Sequence, residues 1–209
     1  MVKSQPKHFE RELVRGMLHE PSGEAIGGLV ITHGAGANHD TVLLRAVADA
    51  FCEAGYAVLR CDLPFRQARP KGPPFPAQAA KDRDGLRRAV EAMREITKHR
   101  VFLGGHSYGG RQATMLAAEE PGLADVLLLL SYPLHPPHKP QDLRTGHFAS
   151  LQTKALFVHG ARDSFGTMEE MRAALELIPA RTELVEIPGA GHSLHPKVAA
   201  ICVERLPVL

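Results

Sequence analysis

One serine in this 209-residue chain stands in a setting that would make it a nucleophile. Ser107 is the centre of Gly105-His106-Ser107-Tyr108-Gly109. A serine hydroxyl attacks a carbonyl only when a neighbouring base takes its proton and the oxygen is held clear of the backbone. A sharp strand-to-helix turn presents the oxygen in this way. Such a turn needs glycine on both sides, because side chains there would strike the adjoining strand and helix. An apolar run at residues 101–103 precedes the motif and a helical pattern opens near Tyr108, so the context fits. The helix start would also set the positive end of a peptide dipole beneath a forming oxyanion.

Glycines flank serines often enough by chance that the partners must decide. Asp163 stands in Gly160-Ala161-Arg162-Asp163, directly after an apolar run ending at Val158. His192 stands in Gly189-Ala190-Gly191-His192-Ser193, directly after a run ending at Ile187. The order Ser, Asp, His belongs to triads built on strand-turn-helix elbows. His192 would take the Ser107 proton and return it to the leaving group, and Asp163 would hold the imidazole tautomer. Asp62, at the end of the run 56–61, is the alternative orienting acid, although it precedes the serine in the chain.

An oxyanion hole would use two backbone amides. Tyr108 supplies one, and the small-residue loop His33-Gly34-Ala35-Gly36-Ala37 supplies the other, from Ala35 or its neighbour Gly36. The remaining histidines of these loops have quieter expectations. His106 points away from the hydroxyl, His33 braces its loop, and Ser193 and His195 lead into the last helix. Arg66, Arg69 and Lys71 form a basic cluster after Cys61. It is either a solvated loop or a substrate contact; in the second case Arg66, nearest the strand end, would grip a substrate carboxylate with its planar fork.

The elements that must position these residues alternate along the chain. Strand patterns fall at 29–32, 56–61, 100–103, 126–130, 155–158 and 182–187, with a further leading strand within 11–19. Helical periods fall at 41–53, 78–99, 108–120, 168–178 and 196–205. This predicts an α/β fold, a mainly parallel twisted sheet with helices on both faces, and ligands beyond the carboxyl ends of its strands. Residues 1–209 read as a single domain with no separate cap. Two proline-rich connections, 64–77 and 133–140, read as ordered walls of a pocket.

With 25 basic against 23 acidic residues the net charge is only +2, which speaks against nucleic acid or a membrane as partner. The three scattered cysteines, Cys52, Cys61 and Cys202, match neither a disulfide framework nor a zinc pattern, and free thiols fit a reducing compartment. The amino-terminal segment has no apolar stretch for a signal peptide, so a cytoplasmic location is expected. No nucleotide-binding glycine fingerprint or metal-spaced cluster is visible, and the expectation is a small-molecule ester substrate with no cofactor or metal.

Together these residues resemble the α/β-hydrolase superfamily over nearly the whole chain. Thr32-His33-Gly34-Ala35-Gly36, Asp62-Leu63-Pro64-Phe65-Arg66, Tyr132-Pro133-Leu134-His135-Pro136-Pro137 and Arg162-Asp163-Ser164-Phe165-Gly166 are similar to one short branch of it. That branch is a dienelactone-hydrolase-like group of small bacterial proteins, related to a testis-expressed protein and a chromatin-complex scaffold subunit. The resemblance implies a Ser-His-Asp hydrolase acting on a carboxylic ester or thioester. It also raises a non-catalytic scaffold on the same fold as the alternative. Dienelactone hydrolases carry cysteine where this chain carries Ser107, so their specific activity does not carry over.

Overall fold

The computed structural model describes residues 5–209. The amino-terminal segment read above begins with residues 1–4, which lie outside the described residues. The described chain runs β1 (Lys7–Arg11), β2 (Val14–His19), β3 (Gly28–Thr32), α1 (Val42–Glu53), β4 (Ala57–Asp62), α2 (Pro64–Ala68) and α3 (Ala79–Ile96). It continues β5 (Val101–His106), α4 (Tyr108–Glu119), β6 (Val126–Leu130), β7 (Lys154–Gly160), α5 (Met168–Leu175), β8 (Thr182–Ile187) and α6 (Val198–Arg205).

The strands form one eight-stranded sheet in the order β1-β2-β4-β3-β5-β6-β7-β8. β1 and β2 make an antiparallel hairpin, β2 joins β4 antiparallel, and every later pairing is parallel. The mainly parallel α/β sheet expected from the alternating pattern is the architecture observed. Register matters most for function. Thr32 pairs Gly105, His106 pairs Leu130, Leu130 pairs Val158 and Gly160 pairs Ile187. The carboxyl ends of β3, β5, β6, β7 and β8 therefore fall on one edge, and the loops leaving them converge.

Period-2 alternation divides the core between the two faces. Leu29, Ile31, Val58, Phe102, Leu128 and Leu130 pack with Leu44, Val47 and Phe51 of α1 and with Cys202 of α6. Val30, Leu59, Leu103, Leu127 and Leu129 pack with Leu86, Val90 and Met93 of α3, Leu116 of α4 and Met171 of α5. Because β6 is covered on both sides, it reads as an unbroken run of valine and leucine. Helix starts are secured locally. Thr41 Oγ1 accepts from Leu44 N, and Thr167 with Glu170 forms a reciprocal capping box at α5.

Three elements differ from the sequence-based expectation. The leading strand is a hairpin, because the charged, exposed Lys7–Arg11 strand pairs with β2 along the sheet edge. Residues 64–68 form a short helix within the expected loop; Pro64 sits at its first position, where the missing N–H costs nothing. β5 continues through Gly104 and Gly105 to His106, two glycines that weaken a strand pattern without ending the strand.

Candidate active site

Ser107 turns the chain from β5 into α4 with φ +52° and ψ −116°, a backbone that a residue with a Cβ adopts only under constraint. Ser107 N donates to Leu130 O at 2.8 Å, and Ser107 O accepts from Arg111 N at 3.0 Å. The flanking glycines allow the close approach this requires. A Cβ on Gly105 would lie 2.7 Å from Gly109 C, and one on Gly109 would lie 2.6 Å from His33 O.

His192 reaches this serine from the loop after β8. Its Nε2 lies 2.8 Å from Ser107 Oγ, and its Nδ1 lies 2.8 Å from Asp163 Oδ2 and 3.0 Å from Oδ1. An ionised carboxylate only accepts, so the ring proton resides on Nδ1 and Nε2 is left to accept from the serine hydroxyl. Asp163, in the loop after β7, is 3% exposed, and its Oδ1 also accepts from Phe165 N at 2.9 Å. Arg162 N donates to Ala190 O at 2.8 Å, tying the aspartate loop to the histidine loop. Three connections thus bring Ser107, Asp163 and His192 into one chain of hydrogen bonds.

The loop after β3 lies against the elbow, where a Cβ on Gly34 would be 3.4 Å from Ser107 Cβ. Ala37 N donates back to Gly34 O at 3.1 Å and closes the loop into a turn. The amides of Tyr108, Ala35 and Gly36 make no backbone hydrogen bond among the described residues. His33 is fully buried, with Nδ1 donating to Gly34 O at 2.8 Å and Nε2 accepting from Leu63 N at 3.1 Å. Burial lowers its pKa to about 4, so the neutral ring spans β3 and β4 as a fixed strut. His106 turns from the hydroxyl and donates Nε2–H to His192 O at 3.1 Å. Ser193 and His195 lie upstream of α6, where His195 Nδ1 accepts from Lys197 N.

Asp62 and Arg66 are placed away from the serine's hydrogen-bond chain. Asp62 accepts from His39 N at 2.7 Å and faces His39 Nδ1 at 2.9 Å. Burial works to raise its pKa, but the hydrogen bonds from His39 outweigh it and hold the carboxyl below its ordinary range. The Arg66 guanidinium differs from the expected open fork: it is buried and donates to four backbone carbonyls. Nε reaches Ala37 O at 2.7 Å, Nη2 reaches Ala35 O at 2.8 Å and Gly72 O at 3.0 Å, and Nη1 reaches Arg69 O at 3.2 Å. One N–H remains, which leaves no parallel pair for a carboxylate. The side chain joins the loop after β3 to the proline-rich stretch.

Two features escape a reading of spacing alone. Phe165 stacks on the His192 ring with centroids 4.1 Å apart and planes at 30°. Its nearness to Asp163 in sequence was a usable signal, since an aspartate that bonds the amide two residues on forms a tight turn. Asp82, on α3, is fully buried and accepts from Tyr108 Oη at 2.8 Å and from Phe65 N at 2.9 Å. Burial raises its pKa against the pull of those two donors. The residue following the serine is thereby anchored by its side chain.

Residues 26–201 match the family model described as Alpha/beta hydrolase domain. The chain belongs to that family. A Salmonella typhimurium protein provisionally named carboxymethylenebutenolidase is 30% identical over 105 residues, which take in 46% of this chain and 37% of that protein. The match therefore spans well under half of that curated relative. Among solved structures, the dienelactone hydrolase of Anabaena variabilis is 23% identical with a TM-score of 0.75, covering 96% of this chain and 97% of its own. Est1E of Butyrivibrio proteoclasticus with ferulic acid bound is 19% identical with a TM-score of 0.78, covering 95% and 96%. An alpha-beta serine hydrolase homologue from Coxiella burnetii is 19% identical with a TM-score of 0.77, covering 99% of both chains. These alpha/beta hydrolases share the fold along nearly the full length. Among the described residues no helix is long and apolar enough to cross a membrane.

Proposed function

We propose that this alpha/beta hydrolase is a serine hydrolase that cleaves a carboxylic ester or thioester of a small soluble substrate through an acyl-enzyme. The observation that carries the reading is the pair of contacts on one imidazole: Nε2 is 2.8 Å from Ser107 Oγ while Nδ1 is held by Asp163. As Ser107 Oγ bonds to the substrate carbonyl carbon, its proton passes to His192 Nε2 and the carbonyl oxygen becomes an oxyanion. The amides of Tyr108 and Ala35 stabilise that oxyanion. On collapse the ester bond breaks, and the Nε2 proton goes to the leaving alcohol or thiol. Water then repeats the sequence on the acyl-serine, releases the acid and restores Ser107. Asp163 holds the proton on Nδ1 throughout and stabilises the imidazolium.

The dienelactone hydrolase structure of the same fold supports an ester substrate. The free cysteines support a reducing, cytoplasmic setting, with Cys61 and Cys202 buried and their thiol pKa pushed up to about 12. A fluorophosphonate probe tests the reading. It should label the protein and lose its signal on Ser107→Ala, together with turnover across a panel of short-chain esters. Labelling that persists in the folded Ser107→Ala protein would remove Ser107 as the nucleophile.

A further inference from the structure

Arg111 is the fourth residue after Ser107, in the first turn of α4. Its Nε is buried with no acceptor, and its guanidinium makes no ion pair or side-chain hydrogen bond among the described residues. Four other sheltered arginines are treated differently. Arg60 pairs with Asp40, Arg83 with Glu119, and Arg87 with Asp84 and Glu120, while Arg66 is spent on carbonyls. Leaving a half-buried guanidinium uncompensated is costly, so the missing partner calls for a cause.

A second cation is sheltered in the same region. Arg144 folds back on the segment after β6: its N donates to Leu134 O at 2.8 Å, its Nη1 to Pro133 O at 3.2 Å, and its O accepts from Tyr132 Oη at 2.8 Å. It too has no carboxylate partner among the described residues. Burial first, and then the charge of Arg111, lowers the Arg144 pKa. The groups between them supply no negative charge. His147 Nε2 donates to Thr114 Oγ1 at 2.8 Å, and Thr114 Oγ1 donates to Arg111 O at 2.8 Å. The Tyr132 phenol is held protonated by burial.

We propose that Arg111 and Arg144 form an anion subsite beside Ser107, and that the substrate is an ester bearing a carboxylate or phosphate group. The proposal rests on the serine-hydrolase reading for the ester, but not for the anion. Two guanidiniums offer donor geometry matched to the oxygens of either group, and the amino-terminal dipole of α4 favours the same charge. The anion would fix the substrate with its ester carbonyl at the elbow, a task the committed fork of Arg66 cannot perform.

Ligand-observed NMR on Ser107→Ala protein tests this without turnover, using monomethyl glutarate, dimethyl glutarate, glutarate and inorganic phosphate. The half-ester or phosphate should bind at least about tenfold more tightly than the neutral diester, in line with the strength of charged hydrogen bonds. Displacement of the half-ester by lower concentrations of phosphate than of glutarate would assign a phosphate-bearing ester, and the reverse order a carboxylate. Arg111→Gln should weaken anion binding by about tenfold to a hundredfold and leave the diester within about twofold. Arg144→Gln should act in the same direction. Equal binding of the charged and neutral ligands, or equal losses on both, overturns the proposal. The ligand comparison is made before either arginine is changed, so an unfolded variant does not leave the matter open. Fluorophosphonate labelling reports on Ser107 separately, so a failure of the anion subsite is distinguishable from a failure of the hydrolase.

Discussion

Asp163→Asn isolates the part of the mechanism that depends on where one proton sits. In the wild-type chain Asp163 Oδ1 accepts from Phe165 N at 2.9 Å and Oδ2 faces His192 Nδ1 at 2.8 Å. Asparagine keeps a carbonyl oxygen for Phe165 N and places its amide group toward the ring, so the loop retains its turn. That amide donates, which forces Nδ1 to accept and moves the ring proton to Nε2. Nε2 then points an N–H at Ser107 Oγ from 2.8 Å and can no longer take the serine proton. Loss of the base through the wrong tautomer should lower kcat about 10⁴-fold, or about 5 kcal/mol of transition-state stabilisation, with KM nearly unchanged. Stopped-flow acylation with p-nitrophenyl acetate would measure the loss, and circular dichroism would show that the variant is folded. Asp62→Asn serves as the control, because Asp62 spends its hydrogen bonds on His39, and it should cost less than tenfold. A larger loss from Asp62→Asn than from Asp163→Asn would refute the assignment of the orienting acid.

Three further outcomes are expected. His33 has a folded pKa near 4 against an ordinary 6.5, so the unfolded chain takes its proton first as pH falls. Its contribution is therefore complete above about pH 6.5 and is lost toward pH 4, amounting to about 3 kcal/mol. Urea unfolding at pH 7 and pH 5 should show His33→Asn about 2 kcal/mol less pH-dependent than wild type, and an unchanged slope would contradict the strut. Arg66→Ala should reduce kcat on charged and neutral esters alike by loosening the Ala35 loop; a loss confined to carboxylate-bearing esters would return Arg66 to substrate binding. Gly105→Ala places a methyl group 2.7 Å from Gly109 C and Gly110 N. It should destabilise the fold by at least about 2 kcal/mol, a fall of roughly 4–8 °C in Tm, and calorimetry showing no change would argue against the tight elbow.

The sheet was legible in sequence wherever burial on both faces produced a continuous apolar run, as at Val126–Leu130. Lys7–Arg11 was not, because an exposed edge strand needs no apolar pattern and its pairing is carried by the backbone. Pro64 disguised α2, since proline ends a helix pattern when read within it and opens one when read at its first turn. The positions of Ser107, Asp163 and His192 were legible because each follows a strand directly. What each arginine holds was not. Arg66 bonds carbonyls of Ala35 and Ala37, whose distance in sequence gives no sign of contact, and a carbonyl acceptor leaves no mark on residue type. Arg111 lies inside the helical period 108–120, a pattern that singles it out in no way. Its isolation from every carboxylate among the described residues is a property of the packed chain.

The left-handed backbone of Ser107 has a consequence for how this sequence can change. A residue with a Cβ held at φ +52° carries about 1–3 kcal/mol of strain, and the molecule carries it whether or not substrate is present. Glycine at the same position would release most of it and keep the hydrogen bonds from Ser107 N and to Ser107 O, which are backbone groups. Gly105 and Gly109 are under no such tension, because packing and presentation of the hydroxyl both demand the residue already there. The elbow thus holds one position where durability and turnover favour different residues, set between two where they agree. In a lineage that kept this fold as a scaffold and no longer needed its chemistry, Ser107 is the first residue of the elbow that stability alone would replace.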